Sequence, residues 1–132
     1  MEKSKFYVKI IGIIFDPTER KILIGKNKGD KFFSFLEGNL KNEEDLDVGL
    51  KRVTTEKTGY VVHNLGAVFA ENHIEQELEA LKLYFLCEAT EGEEKLAEQV
   101  EEIKWIKAHE FEDLTNKKLP IRLHEYIFSI AG

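Results

Sequence analysis

Residues 38–60 read GNLKNEEDLDVGLKRVTTEKTGY, and the rest of the chain is best understood outward from them. Gly38 is followed after five residues by Glu44, after seven more by Arg52, and then by Glu56, Gly59 and the apolar Tyr60. The segment predicts a helix over 43–58. Asn42 is placed to cap it, and Glu43, Glu44 and Asp45 suit the positive end of the helix dipole. Gly59 supplies the left-handed residue that stops it. At about 100° per residue, Leu46, Leu50 and Val53 share one stripe, which is the expected buried face.

On the amino-terminal side, Phe6 to Phe15 (FYVKIIGIIF) is apolar and β-branched, as expected of a strand buried on both faces. Asp16-Pro17-Thr18-Glu19 reads as a turn with proline at its second position, and Lys21 to Gly25 as the returning strand. Asn27 to Asp30 is a polar loop before the aromatic run Phe32-Phe33-Ser34-Phe35. On the carboxyl-terminal side, 60–71 and 80–89 read as two long strands, and the second alternates poorly, as a doubly covered strand should. Residues 90–101 read as an acidic loop or a short helical turn, 102–106 as a short strand, and Pro120 opens a closing helix with Leu123, Ile127 and Ile130 as its buried stripe. With no repeat, linker or low-complexity tract, 1–132 is expected to form a single α/β domain.

The spacing of 38–60 resembles the Nudix box of the Nudix hydrolases, G-x5-E-x7-R-E-U-x-E-E-x-G-U, with U a bulky apolar residue. The frame fits without a gap, yet two carboxylates are replaced: Val53 and Lys57 stand where the family has glutamates. Thr54 occupies the first U, and Phe35-Leu36-Glu37 lacks the proline and second glycine usual before the box. The order of elements is similar too, including the late EIKWIKAHEFEDL. The resemblance implies the Nudix fold, a mixed sheet sandwiched between helices. It also implies hydrolysis of a nucleoside diphosphate linked to another group, with Mg2+ or Mn2+ as cofactor. Such hard cations require several oxygens converging on one point.

Residue by residue, the resemblance implies that Gly38 lets a backbone carbonyl approach the cation. Glu44 and Arg52 would tie loop to helix by a salt bridge, and Glu56 would be a metal ligand. Val53 and Lys57 match the other two ligand positions, and neither can bind magnesium. Three readings of the lesion stay open. In one, carboxylates from Glu37, Glu43, Glu98, Glu101 or Glu102 restore the metal site, giving an atypical hydrolase of weak activity. In another, the ammonium of Lys57 stands in the cation's place and holds phosphate oxygens as a point charge in a non-catalytic binder of a nucleotide or a protein. In the blandest, Val53 widens the buried stripe and Lys57 is a solvated lysine at the helix C-terminus, where the dipole favours it.

Lys26, Lys28 and Lys31 flank the loop before the box, and Lys26 and Lys28 are candidates to meet substrate phosphates. Phe32, Phe33 and Phe35 divide between core filling and base stacking. His63, His73, His109 and His124 lack metal-ligand spacing and read as surface or strand residues. Cys87 is the lone cysteine, in an apolar strand, and reads as a small core residue. With no disulfide framework, no apolar run of membrane-spanning length and no leader-peptide pattern in MEKSKFYVK, a soluble cytoplasmic protein is expected.

The formal charge of −6 excludes non-specific binding to nucleic acid. It is unevenly spread. Residues 1–31 carry eight Lys and Arg against four Asp and Glu, whereas the remainder is strongly acidic. A local basic site for a small nucleotide-type ligand is compatible with that balance. The resemblance also allows a homodimer. Abundant Lys and Glu with scarce Gln, Met and Cys suit a thermophilic source.

Overall fold

The computed structural model describes residues 6–132; the first five, on which the reading of the amino terminus partly rests, lie outside the described residues. Six strands form one mixed sheet: β1 (Phe6–Asp16), β2 (Lys21–Asn27), β3 (Leu36–Asn39), β4 (Tyr60–Glu75), β5 (Leu78–Gly92) and β6 (Val100–Ile106). Their order is β4-β5-β1-β2-β6, with β3 also pairing β1. Only β1 and β5 run parallel, in register from Phe6↔Glu79 to Phe15↔Glu88, while the other pairs are antiparallel.

The apolar run over 10–15 of β1 is explained by helices on both sides. Ile10 and Ile14 face α1 (Leu46–Thr58) and join Leu23, Leu36, Leu50, Val62, Phe85 and Cys87. Ile11 and Ile13 face the opposite way, where α2 (Phe111–Thr115) and α3 (Ile121–Ala131) supply Phe111, Leu123, Ile127 and Ala131. This is the expected layered α/β architecture. Trimming a fully buried core residue such as Leu50 to alanine typically costs about 2–5 kcal/mol.

Several boundaries differ from expectation, each for a local reason. Helix α1 starts at Leu46 and not at 43, and its N-cap is Asp45, whose carboxylate accepts the Asp47 N–H at 2.9 Å. Asn42 is therefore not the cap. Glu43 adopts φ 60°, and Glu44 is held in the preceding loop by Arg52, so the chain cannot be helical there. Leu46 is 40% exposed, outside the buried stripe, which runs through Gly49, Leu50, Val53 and Thr54. Thr54 tolerates full burial because its hydroxyl donates to the Leu50 carbonyl at 2.9 Å. In α3, Pro120 is the N-cap, Ala131 joins Leu123 and Ile127 in the buried stripe, and Ile130 is partly buried against the same core. Strands β4 and β5 extend past their expected ends into a long hairpin. Strand β6 starts at Val100, inside the expected acidic loop.

No helix among the described residues is long and apolar enough to cross a membrane.

Candidate functional site

The stretch 38–60 places its functional side chains through two elements, β3 and α1. Gly38 lies in β3 opposite Ile10 of β1, facing the helix. A Cβ at this position would lie 2.7 Å from a methyl of Val53, so only glycine lets the helix come this close. Val53 is thus 2% exposed and packed on the backbone of β3. One turn further along the same helix face, the Lys57 ammonium donates a hydrogen bond to the backbone carbonyl of Glu37, the residue before Gly38. Burial lowers the pKa of Lys57, nearby Lys9 lowers it further, and the Glu37 carboxylate opposes both.

Glu44 and Arg52 form the expected link between loop and helix. Arg52 Nε donates to Glu44 Oε2 at 2.8 Å and a terminal nitrogen to Oε1 at 2.9 Å, a bidentate pair. The same terminal nitrogen donates to the Asn39 carbonyl at 2.9 Å, and Glu44 Oε1 also accepts the Lys41 N–H at 3.0 Å. The loop over 39–45 is thereby fastened to α1. The Arg52 hydrogen bonds and then the Lys41 N–H hold the Glu44 carboxyl down to about 2, against an ordinary 4.5. Its contribution to stability is therefore fully present above about pH 4.5 and is lost as pH falls towards 2. Arg52→Ala is expected to flatten this part of the acid limb, and Arg52→Lys not to restore it, because lysine lacks the planar fork. Denaturant unfolding of both variants across the acid range checks this; an unchanged wild-type profile in Arg52→Ala would refute it.

The remaining candidate carboxylates do not converge. Glu56 is 64% exposed and its nearest charged partner is Arg52, at 3.7 Å. Glu98 and Glu102 are exposed and line no cleft with Gly38. Glu101 is paired with Lys26 at 3.3 Å. Glu43 is exposed in the loop before α1. Of the proposed substitutes only Glu37 reaches the cleft, where its carboxylate lies 3.6 Å from Lys9 Nζ. Among the described residues no group of three or more His, Cys, Asp or Glu could hold a metal. A divalent cation needs several convergent oxygens. Here a valine fills one ligand position, an ammonium holds the adjoining carbonyl, and the one remaining carboxylate points to solvent. The residues present do not fit a Mg2+ or Mn2+ site of the expected kind.

What converges instead is a set of lysines. A cleft of about 330 Å³ is lined by Lys9, Lys26 and Lys57 together with Glu37, Gly38 and Asp30, within the range of about 300–1,000 Å³ usual for small-molecule sites. Lys26 reaches it from β2, with its ammonium also 5.3 Å from the Phe33 ring centre. Lys28 and Lys31 are exposed and lie outside the cleft lining. Phe35 is core, stacked on Phe111 at 4.8 Å, whereas Phe32 is exposed. Cys87 is buried and its thiol is pushed up to about 12, chiefly by desolvation, so it is no nucleophile.

A second cleft of about 540 Å³ lies on the other side of the Ser34–Glu37 segment, lined in part by His73, Lys82, Tyr84, Lys117 and Lys118. Sequence reasoning missed it. The one available signal is Lys82, a charge inside the apolar run Leu81-Lys82-Leu83. Lys117 and Lys118 join it only because α2 ends at Asn116 in a left-handed turn, which folds the next loop back over the sheet.

A NUDIX domain family model matches residues 5–127. No curated protein matches the sequence. Among solved structures, a NUDIX hydrolase from Nitrosomonas europaea superposes with a TM-score of 0.77 at 14% identity, over 98% of this chain and 92% of that one. A UDP-X diphosphatase gives 0.81 at 12% identity, over 98% of this chain and 66% of that one. A MutT protein from Methanosarcina mazei Go1 gives 0.75 at 14% identity, over 98% and 96% of the two chains. At these identities the structures speak for the fold, and the domain match speaks for descent: the chain belongs to the Nudix family.

Proposed function

We propose that this Nudix domain binds a small nucleotide-type phosphorylated ligand without a metal, Lys57 taking the cation's position, and that it hydrolyses phosphoanhydrides weakly or not at all. The observation that carries this reading is the bond from the Lys57 ammonium to the Glu37 carbonyl beside Gly38. A lysine ammonium has three donors. One is spent on that carbonyl, which leaves two for phosphate oxygens entering the cleft. Lys26 and Lys9 add positive charge on the same lining. An ammonium can neutralise phosphate, but it cannot lower the pKa of a bound water as a divalent cation does. Binding is retained and the means of activating water is lost.

A nucleotide-type ligand is in keeping with the name of the UDP-X diphosphatase that shares the fold. The buried, unpaired Cys87 accords with a reducing compartment, and the cytoplasm is part of the same proposal.

The test has two arms. Calorimetric titration with ADP, GDP, CDP and UDP is expected to give the same dissociation constants in EDTA and in magnesium. Release of nucleoside monophosphate from nucleoside triphosphates, sugar nucleotides, dinucleoside polyphosphates and ADP-ribose, separated by chromatography after incubation in magnesium, manganese or EDTA, is expected to match that of Glu56→Gln. Metal-dependent release abolished by Glu56→Gln would overturn the reading. It would establish a hydrolase with rebuilt ligation, and Glu37 would be the first substitute ligand to test.

A further inference from the structure

The two clefts share Ser34, Phe35 and Glu37 as a common ridge. Between them they are lined by six lysines and only three carboxylates, Asp30, Glu37 and Glu71, in a protein whose net charge is −6. Two of those carboxylates are already engaged: Glu37 with Lys9, and Glu71 by the Tyr84 hydroxyl at 2.7 Å. In the second cleft Lys82, Lys117 and Lys118 have no ion-pair partner among the described residues. Unpaired cations gathered at a concave surface raise the local concentration of anions. The shared lining is uncharged at Ser34 and Phe35, and Ile11 and Leu119 add apolar surface to the second cleft.

The ridge decides what kind of anion fits. Glu37 lines both clefts, and even paired with Lys9 its carboxylate offers only acceptor oxygens to a continuous polyphosphate laid across it. A ligand with its charges at two ends and an uncharged middle avoids that contact.

Resting on the metal-free reading above, we infer that the joined clefts hold one small molecule phosphorylated at two separated positions, such as a nucleoside bisphosphate. One phosphate sits against Lys57 and Lys26. The other sits against Lys82, Lys117 and Lys118, with the nucleoside over the ridge at Phe35.

Titration in EDTA with AMP, ADP and adenosine 3′,5′-bisphosphate tests this. ADP has the same number of phosphates as the bisphosphate, placed at one end of the nucleoside instead of at two. The bisphosphate is expected to bind at least about tenfold more tightly than either of the others, as one additional charged contact allows. The double variant Lys117→Ala/Lys118→Ala is expected to erase that margin and leave ADP affinity unchanged. Both residues are exposed in a loop, so the fold is not at stake. A bisphosphate that binds no more tightly than ADP would overturn the inference, as would a double variant that weakens both equally. If ADP binds in a Lys57-dependent way but the bisphosphate gains nothing, only this inference falls. If none of the three binds, the metal-free reading falls with it.

Discussion

Lys57→Met is expected to weaken binding of the tightest nucleoside diphosphate by about 10- to 100-fold, equally with EDTA and with magnesium. The magnitude follows from losing charge-assisted hydrogen bonds worth about 1.5–3 kcal/mol together. Methionine keeps the length and apolar body of the side chain, so the contacts along α1 survive. The substitution also removes an ammonium whose burial already opposes its charge. The melting temperature is therefore expected to hold or rise, which separates lost binding from lost folding. Calorimetric titration beside thermal unfolding reads both quantities. Wild-type affinity in Lys57→Met would show that the ammonium bonds only the Glu37 carbonyl and meets no ligand, and the proposed function would lose its support.

Gly59→Ala is expected to destabilise the protein strongly although it adds a single methyl group. Gly59 caps α1 at φ 84°, a conformation that costs a residue with a Cβ about 1–2 kcal/mol. Space adds more than conformation does. The new Cβ would lie 2.3 Å from the Glu93 carbonyl oxygen and 2.7 Å from the Lys95 nitrogen, both backbone atoms. The segment they belong to is docked on the end of α1, where the Lys95 N–H donates to the Thr58 carbonyl at 2.8 Å and the Ala97 N–H to the Lys57 carbonyl at 3.4 Å. To admit the methyl, that segment must move away from the helix end. A fall in melting temperature of about 10 °C or more is expected, since each kcal/mol moves a domain of this size by several degrees. Gly59→Asn sharpens the test: asparagine tolerates the left-handed conformation but needs the same space. It is expected to be as damaging as alanine, and a mild effect of asparagine alone would show that conformation, not crowding, governs the site.

The fold was largely legible in the sequence because its signals are local. The run 6–15 announces a doubly covered strand, since nine of its ten residues carry no charge and water on either face would be costly. Gly59 marks a helix end because few other residues enter the left-handed region cheaply. The start of α1 was misplaced because good helix formers at 43–45 are overruled by a longer-range event. Arg52, eight residues away, captures the Glu44 carboxylate and holds the loop open. Leu46 followed the helical period yet stays exposed, because the stripe says which residues share a face and not how far the sheet reaches beneath them.

For the site, the frame Gly38, Glu44, Arg52, Glu56 and Gly59 and the loss of carboxylates at Val53 and Lys57 are legible along the chain. Residue identity at fixed spacing along the chain is sufficient for that. It left open whether a rebuilt metal site, a substitute cation or a solvated lysine follows from the loss. Tertiary packing brings the Lys57 ammonium to the Glu37 carbonyl, turns Glu56 towards solvent, and gathers Lys9, Lys26, Lys82, Lys117 and Lys118 from four separate segments around one ridge. Charges act through space over a few ångströms, and in this chain those distances are set by sheet pairing and the close approach of α1 to β3, which no local pattern encodes.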